Sequence, residues 1–126
     1  MKDEIQAYLK RAQESLDASK KLFQQGYFEI SASRSYYAAF YAASALLLKG
    51  GYRFSKHGGV IAGLHQHFIK PGLLPTQLGK DLRSLFDLRG TGDYHVTMDI
   101  SKIEAEEALS KAQKFIQAVN KKFKGP

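Results

Sequence analysis

Arg89 and His95 are separated by five residues in the segment 88–95. A fixed cation beside a group that titrates near neutral pH suits chemistry on a phosphodiester. On a continuous helix His95 would lie roughly 240° around the helix axis from Arg89, so the two side chains would face apart. Gly90 and Gly92 predict that the helix ends here and that the chain turns back, because glycine enters left-handed conformations without a steric penalty. The arginine and the histidine would then converge on one ligand.

Arg89 also follows a helical stripe of apolar side chains, formed by Leu78, Leu82 and Leu85. This spacing predicts that Arg89 points towards the core. Burying an unpaired guanidinium group costs several kcal/mol. We therefore expect either that a carboxylate of Asp87 or Asp93 pairs with Arg89, or that Arg89 lines a cleft that receives an anion.

Further candidate ligand contacts lie on both sides of this arginine. Arg34 shares a helical face with Tyr37 and Tyr41, so it could hold a phosphate while a tyrosine ring stacks on a base. The alternative is that the tyrosines are packing elements with satisfied hydroxyl groups. The backbone amides of residues 90–92 could add anion contacts, or they could simply end the helix.

Histidines and acidic residues elsewhere in the chain are further candidates, as metal ligands. His65 and His67 would point about 200° apart on a helix, and with His57 they form no converging set. The chain has no cysteine, which excludes disulfides and thiolate metal sites. We expect no metal and no cofactor. Asp81 and Asp87 are expected to be solvated or paired with a neighbouring cation, namely Lys80, Arg83 or Arg89.

The chain has 126 residues and a net charge of +7. This length predicts one domain, spanning residues 1–126. No apolar run approaches the roughly 20 residues needed to cross a bilayer, and the first residues do not resemble a signal region. We therefore expect a cytoplasmic protein without membrane contact. The positive charge favours polyanionic partners, although residues 111–126 contain five lysines and no acid, which is typical of a solvated tail.

Hydrophobic periodicity predicts five helices and no strand, an antiparallel all-α bundle. The first three predicted helices cover about residues 3–25, 27–49 and 57–70. The fourth is entered through Pro75 and closed by Gly90, and the fifth begins at the Ser101 cap and carries apolar residues as far as Phe123. The second carries apolar or small residues on most faces and is expected to be central. Ser101 and Glu104 have the spacing of a capping box at the start of the fifth. The fifth helix then carries a narrow apolar seam, made of Ala105, Leu109, Ala112, Ile116, Val119 and Phe123.

Three segments together resemble the HEPN (higher eukaryotes and prokaryotes nucleotide-binding) domain, and most closely its small stand-alone prokaryotic branch. They are the run 33–43 with its tyrosines and alanines, the run 54–59, and Arg89 with Asp93 and Tyr94. The resemblance covers nearly the whole chain. It implies a helical bundle that dimerises and is often encoded beside a minimal nucleotidyltransferase as a toxin and antitoxin pair.

Active members of that family are metal-independent endoribonucleases whose signature is an arginine followed, after four to six residues, by a histidine. The resemblance thus implies that Arg89 and His95 are catalytic, in a cleft shared by a homodimer. The expected substrate is RNA or a nucleotide, contacted by Arg34, Tyr37, Tyr41, Gly90, Thr91, Gly92, Asp93 and Tyr94. One alternative is a non-catalytic HEPN module that binds a nucleotide or a partner nucleotidyltransferase. Another is an unrelated helical oligomerisation domain.

Overall fold

The computed structural model describes residues 2–94 and 99–124, which form five α-helices. They are α1 (Lys2–Gln24), α2 (Phe28–Lys49), α3 (His57–Leu64), α4 (Thr76–Tyr94) and α5 (Lys102–Lys124). A π-helical turn, His65–Ile69, continues α3. The predicted all-α bundle is confirmed, and the described residues include no strand. None of the helices within these ranges combines the length and apolar character that a bilayer span requires.

Local signals set several helix ends. Gly26 and Gly51 follow α1 and α2 with φ angles of +86° and +87°, a conformation that glycine adopts without strain. The capping box at the start of α5 is present. The Ser101 amide donates to the Glu104 carboxylate at 3.0 Å, and the Glu104 amide donates to the Ser101 hydroxyl at 3.1 Å.

Helix α2 is central, as its composition predicts. It contacts α1, α3, α4 and α5. Small side chains let these neighbours approach closely, because a methyl group adds little width to a helix. The fully buried small residues of α2 include Ala32, Ala38, Ala39, Ala42, Ala43 and Ala45. Helix α5 contacts α1, α2 and α4. It buries most of its predicted seam and, in addition, Ala108 and Phe115.

A cluster of three buried serines joins α1 to α2. The Ser19 hydroxyl oxygen lies 2.7 Å from that of Ser35 and donates to the Ser31 carbonyl oxygen at 2.8 Å. The Ser31 hydroxyl donates back to the Ser19 carbonyl oxygen at 2.9 Å. We call Ser19, Ser31 and Ser35 the serine cluster. Because each hydroxyl has a partner, the cluster fixes the two helices together without an unsatisfied polar group.

The predicted end of α4 at Gly90 is wrong, since the helix continues to Tyr94. A glycine weakens a helix by about 1 kcal/mol relative to alanine but ends it only when the backbone leaves the helical region. Gly90 stays helical, unlike Gly26, Gly51 and Gly72, which have positive φ. Packing of the preceding turns, where Leu82 and Leu85 are fully buried, therefore outweighs the local signal.

Candidate functional site

The Arg89 guanidinium group packs against three aromatic rings. Its central carbon lies 5.7 Å from the centre of the Tyr36 ring, 5.5 Å from that of Tyr37 and 5.9 Å from that of Phe86. Cations within about 6 Å of an aromatic ring are attracted by the ring quadrupole. The side chain is half-buried. Arg89 thus points inwards from α4, as its spacing predicts, and rests on α2.

His57 is held beside the same rings by a hydrogen bond to the core. Its Nδ1 atom lies 2.6 Å from the hydroxyl oxygen of Tyr36, a residue with no exposed surface. The His57 ring centre lies 4.6 Å from that of Phe40. Since Nδ1 is directed at Tyr36, the second ring nitrogen, Nε2, points away from that hydroxyl. The side chain itself is only half-buried.

His57 and Arg89 share all three aromatic neighbours. The His57 ring centre lies 5.6 Å from Tyr36, 5.9 Å from Tyr37 and 6.0 Å from Phe86. We call Arg89, His57 and these three aromatic residues the Arg89 cluster. It brings a permanent cation and a titratable imidazole together where α2, α3 and α4 meet.

The protonation states in the Arg89 cluster follow from its surroundings. Burial lowers the pKa of His57, and the positive charge of Arg89 lowers it further. Burial raises the pKa of the Tyr36 hydroxyl well above its ordinary value, although Arg89 acts in the opposite direction. At neutral pH the cluster therefore contains a neutral imidazole, a protonated phenol and one cationic guanidinium group.

Tyr37 links the Arg89 cluster to Arg34. The Arg34 guanidinium carbon lies 4.6 Å from the centre of the Tyr37 ring, and the Tyr41 ring centre is 6.1 Å from that of Tyr37. The face predicted for Arg34, Tyr37 and Tyr41 is therefore present. One tyrosine ring contacts two guanidinium groups, which come from different helices.

Arg34 and Tyr41 also line a groove of about 460 Å³ between α1 and α2. Lys10 and Arg11 of α1 add two exposed cations, and Glu14 is the acidic residue of the lining. We call this the basic groove. The sequence does not predict that residues of α1 line this groove. The amphipathic pattern of α1 does not show which part of its polar face lies next to α2.

We call α3 together with its π-helical turn, residues 57–69, the α3 segment. A larger groove, of about 870 Å³, lies between the α3 segment and α4. Its lining is mainly apolar and includes Ile61, Ile69 and Phe86, with Lys80 and Arg83 among its polar residues. Phe86 is shared with the Arg89 cluster. This groove is thus a neighbouring surface that lacks the tyrosines and the half-buried arginine.

The remaining predicted site residues lie at the end of α4. Gly90, Thr91 and Gly92 are helical, so their amides are directed at carbonyl groups four residues earlier instead of at a ligand. The proposed anion contact of these amides depended on the turn that is absent here. The side chains of Asp93 and Tyr94, and His95 as a whole, lie outside the described residues.

The acidic candidates of α4 have other partners. Asp87 pairs with Arg83, with an N–O distance of 3.3 Å, on the exposed face of the helix. Asp81 is buried and accepts a hydrogen bond from the Gln77 side chain at 2.9 Å, so the expectation that it is solvated or ion-paired is wrong. Over residues 2–94 and 99–124, no three histidine or carboxylate side chains are grouped as metal ligands would be.

Comparison with known proteins identifies relatives over nearly the full chain. The model of the HEPN domain family matches residues 5–122. A Thermotoga maritima protein named "UPF0332 protein" is 38% identical over 117 residues, which cover 93% of this chain and 89% of that protein. A Methanocaldococcus jannaschii protein named "Putative toxin MJ0142" is 34% identical over 120 residues, covering 95% of this chain and 82% of that protein.

The fold has a counterpart among solved structures. The crystal structure of TT1696 from Thermus thermophilus superposes with a TM-score of 0.78, covering 92% of this chain and 95% of that one. At 21% sequence identity this likeness concerns the fold alone. The helical arrangement that positions Arg89 is therefore found in a solved protein.

Proposed function

The chain belongs to the HEPN domain family, and from this membership we propose that it is a toxin-like protein that binds RNA and cleaves it without a metal ion. Two M. jannaschii relatives, at 34% and 33% identity, carry the word toxin in their names. The proposal assigns phosphate binding to Arg89 and Arg34, base stacking to Tyr37 and Tyr41, and proton transfer to His95.

The observation that carries this proposal is the packing of two guanidinium groups on one tyrosine ring. Arg89 and Arg34 both contact Tyr37. A guanidinium group offers planar donors to the non-bridging oxygens of a phosphate, and its charge stabilises the transition state as negative charge grows there. Because the rings hold Arg89 in place, little reorganisation is needed at the moment of reaction.

The basic groove gives a single strand a path to this site. A positively charged groove that follows the backbone, with aromatic rings on which bases stack, is typical of proteins that bind single strands. Lys10 and Arg11 would contact phosphates at one end of the groove. Arg34 and Tyr41 would direct the strand towards Tyr37 and Arg89.

We further propose a homodimer in which two copies of the Arg89 site face a shared cleft, with an interface of at least about 1,000 Å² in total. In-line cleavage benefits from both an acid and a base, and a two-fold axis supplies two copies of His95. Sedimentation should show a dimer at micromolar concentration. A monomer would remove the shared-cleft arrangement.

A minimal nucleotidyltransferase is the proposed antitoxin. A gene for such a protein next to the gene for this chain would support the pairing.

The catalytic part is tested with the purified chain and a single-stranded RNA in EDTA. Wild type should cleave, and His95→Ala should cleave about 10²- to 10⁴-fold more slowly, while its unfolding temperature stays within a few degrees. Undiminished cleavage by the variant would exclude His95 as the catalyst. Binding without cleavage by folded wild type would favour the alternative, a non-catalytic HEPN module whose partner performs the chemistry.

A further inference from the structure

We propose that His57 is a second proton-transfer residue of the Arg89 site, acting as the general base through Nε2 while Tyr36 holds Nδ1. This inference rests on the proposed RNA cleavage and adds a residue that the sequence pattern did not assign. It adds a base to the proton transfer that the proposed function assigns to His95.

The position of His57 suits a general base. His57 and Arg89 pack on the same three rings, at distances of 5.5 to 6.0 Å. The charge of Arg89 also acts on the His57 imidazole, so a phosphate bound by the guanidinium group would lie near that ring. A general base must come within hydrogen-bonding reach of the proton that it removes, and this shared packing makes that reach attainable.

The orientation of the His57 ring is fixed by Tyr36. The Tyr36 hydroxyl contacts Nδ1 at 2.6 Å and is fixed in the core, so the imidazole ring has one defined direction. If the Tyr36 hydroxyl donates to Nδ1, the proton of the ring lies on Nε2. The proposal uses the other tautomer, in which Tyr36 accepts from Nδ1–H and Nε2 keeps its lone pair. This is the arrangement that a base requires, and a third group that orients the base is the usual companion of such a residue.

The charged groups around His57 favour its neutral form. The groups that face His57 are Tyr36 and Tyr37 from α2 and Arg89 from α4, while Lys56 precedes it in the chain. Burial and Arg89 keep the imidazole neutral at physiological pH because they lower its pKa. A neutral imidazole can accept a proton without first losing one.

The proposed step is an in-line transesterification at phosphorus. The Nε2 lone pair of His57 takes the proton of a ribose 2′-hydroxyl, and the 2′-oxygen forms a bond to the adjacent phosphorus. The bond from phosphorus to the 5′-oxygen breaks, and that oxygen takes a proton from His95 in its protonated form. The products are a 2′,3′-cyclic phosphate and a 5′-hydroxyl end.

The test uses the full-length His57→Asn variant, because asparagine can keep a hydrogen bond to Tyr36 but cannot take up a proton. Its cleavage rate should fall about 10²- to 10⁴-fold, and the rise in wild-type rate with pH below 6.5 should disappear. His65→Asn, an exposed histidine of the adjoining π-helical turn, is the matched control and should leave both unchanged. Tyr36→Phe should slow cleavage less than His57→Asn does.

A second readout does not depend on cleavage. The His57 pKa, measured by NMR, should rise when a 2′-O-methyl oligonucleotide binds, because the phosphate favours the protonated imidazole. An active wild type with an unchanged His57→Asn rate would overturn the role of His57 and leave the proposed function standing. A wild type that does not cleave would overturn both, and a pKa unmoved by the bound oligonucleotide would remove His57 from the site.

Discussion

The serine cluster and the Arg89 cluster both join α2 to neighbouring helices through polar side chains, yet their chemistry differs. The three serines are neutral, buried and bonded to one another. The Arg89 cluster carries a permanent charge and a titratable ring, and both Arg89 and His57 are half-buried. A satisfied neutral network stabilises a helix pair, whereas a charged, partly exposed group beside a groove can bind a ligand. We therefore infer a structural role for the serine cluster and propose the Arg89 cluster as the functional site.

Removal of the Arg89 side chain should have the largest effect. Arg89→Ala is expected to lower the RNA cleavage rate about 10²- to 10³-fold, as loss of a preorganised charge donor does. Its free energy of unfolding should change by only about 1 kcal/mol, since a cation on aromatic rings contributes that much. RNA affinity should fall and its salt dependence should become shallower.

Arg83→Ala is the matched control for this variant, because Arg83 lies on the same helix and 6.0 Å from the Phe86 ring but on the exposed face. It should leave cleavage and stability nearly unchanged. If Arg89→Ala instead lost about 3 to 5 kcal/mol of stability while RNA binding was retained, Arg89 would be a structural ion-pair residue.

The serine cluster should give the opposite result. Ser19→Ala removes the hydroxyl that both Ser31 and Ser35 contact, and it should lower the free energy of unfolding by about 1 to 3 kcal/mol. RNA affinity should not change at a temperature where the variant is folded. Chemical denaturation measures the first effect and a titration with RNA measures the second. Exposed Ser110→Ala should alter neither.

The basic groove should contribute less to RNA affinity than Arg89 does, and the contributions of its residues should be additive. Lys10→Ala and Arg11→Ala should each weaken RNA binding, and each should reduce the slope of log affinity against log salt by about 0.7 if one phosphate contact is lost. Lys21→Ala, an exposed lysine of α1 outside the groove lining, is the control. Equal effects of all three would mean that net charge, and not the groove, attracts RNA.

The smallest effect should be a pH dependence of stability. The pKa of His57 is lower in the folded chain than its ordinary value of 6.5, so the unfolded chain binds more protons below that value. The associated stability is complete above pH 6.5 and should be lost as the pH falls through the folded pKa. His57→Asn should lose less stability on acidification than His65→Asn does, as measured by denaturant unfolding. Equal losses of stability in the two variants would show that other titratable groups dominate the pH dependence.

Short-range patterns were sufficient to predict the bundle. The capping box of Ser101 and Glu104, the central α2 and the inward direction of Arg89 all follow from spacing within one helix. The predicted end of α4 at Gly90 is wrong, because the packing of the preceding turns outweighs the local tendency of glycine to end a helix.

The contacts that build the two clusters join distant parts of the chain. His57 meets Tyr36 across 21 residues, and Ser19 meets Ser35 across 16. No periodicity within one helix encodes which residue of a neighbouring helix it will face. For this reason Arg34 and Tyr37 were recognised together on one helix, whereas the pairing of His57 with Arg89 was not.

The central claim is that RNA binds at the Arg89 cluster, and chemical-shift mapping tests it most directly. The isotope-labelled chain is titrated with a 2′-O-methyl oligonucleotide, which binds but is not cleaved. We predict that the side-chain signals of Arg89, Arg34 and His57 shift together with one affinity, while those of the serine cluster do not. Shifts confined to the groove between the α3 segment and α4, with Arg89 and Arg34 unmoved, would contradict the account.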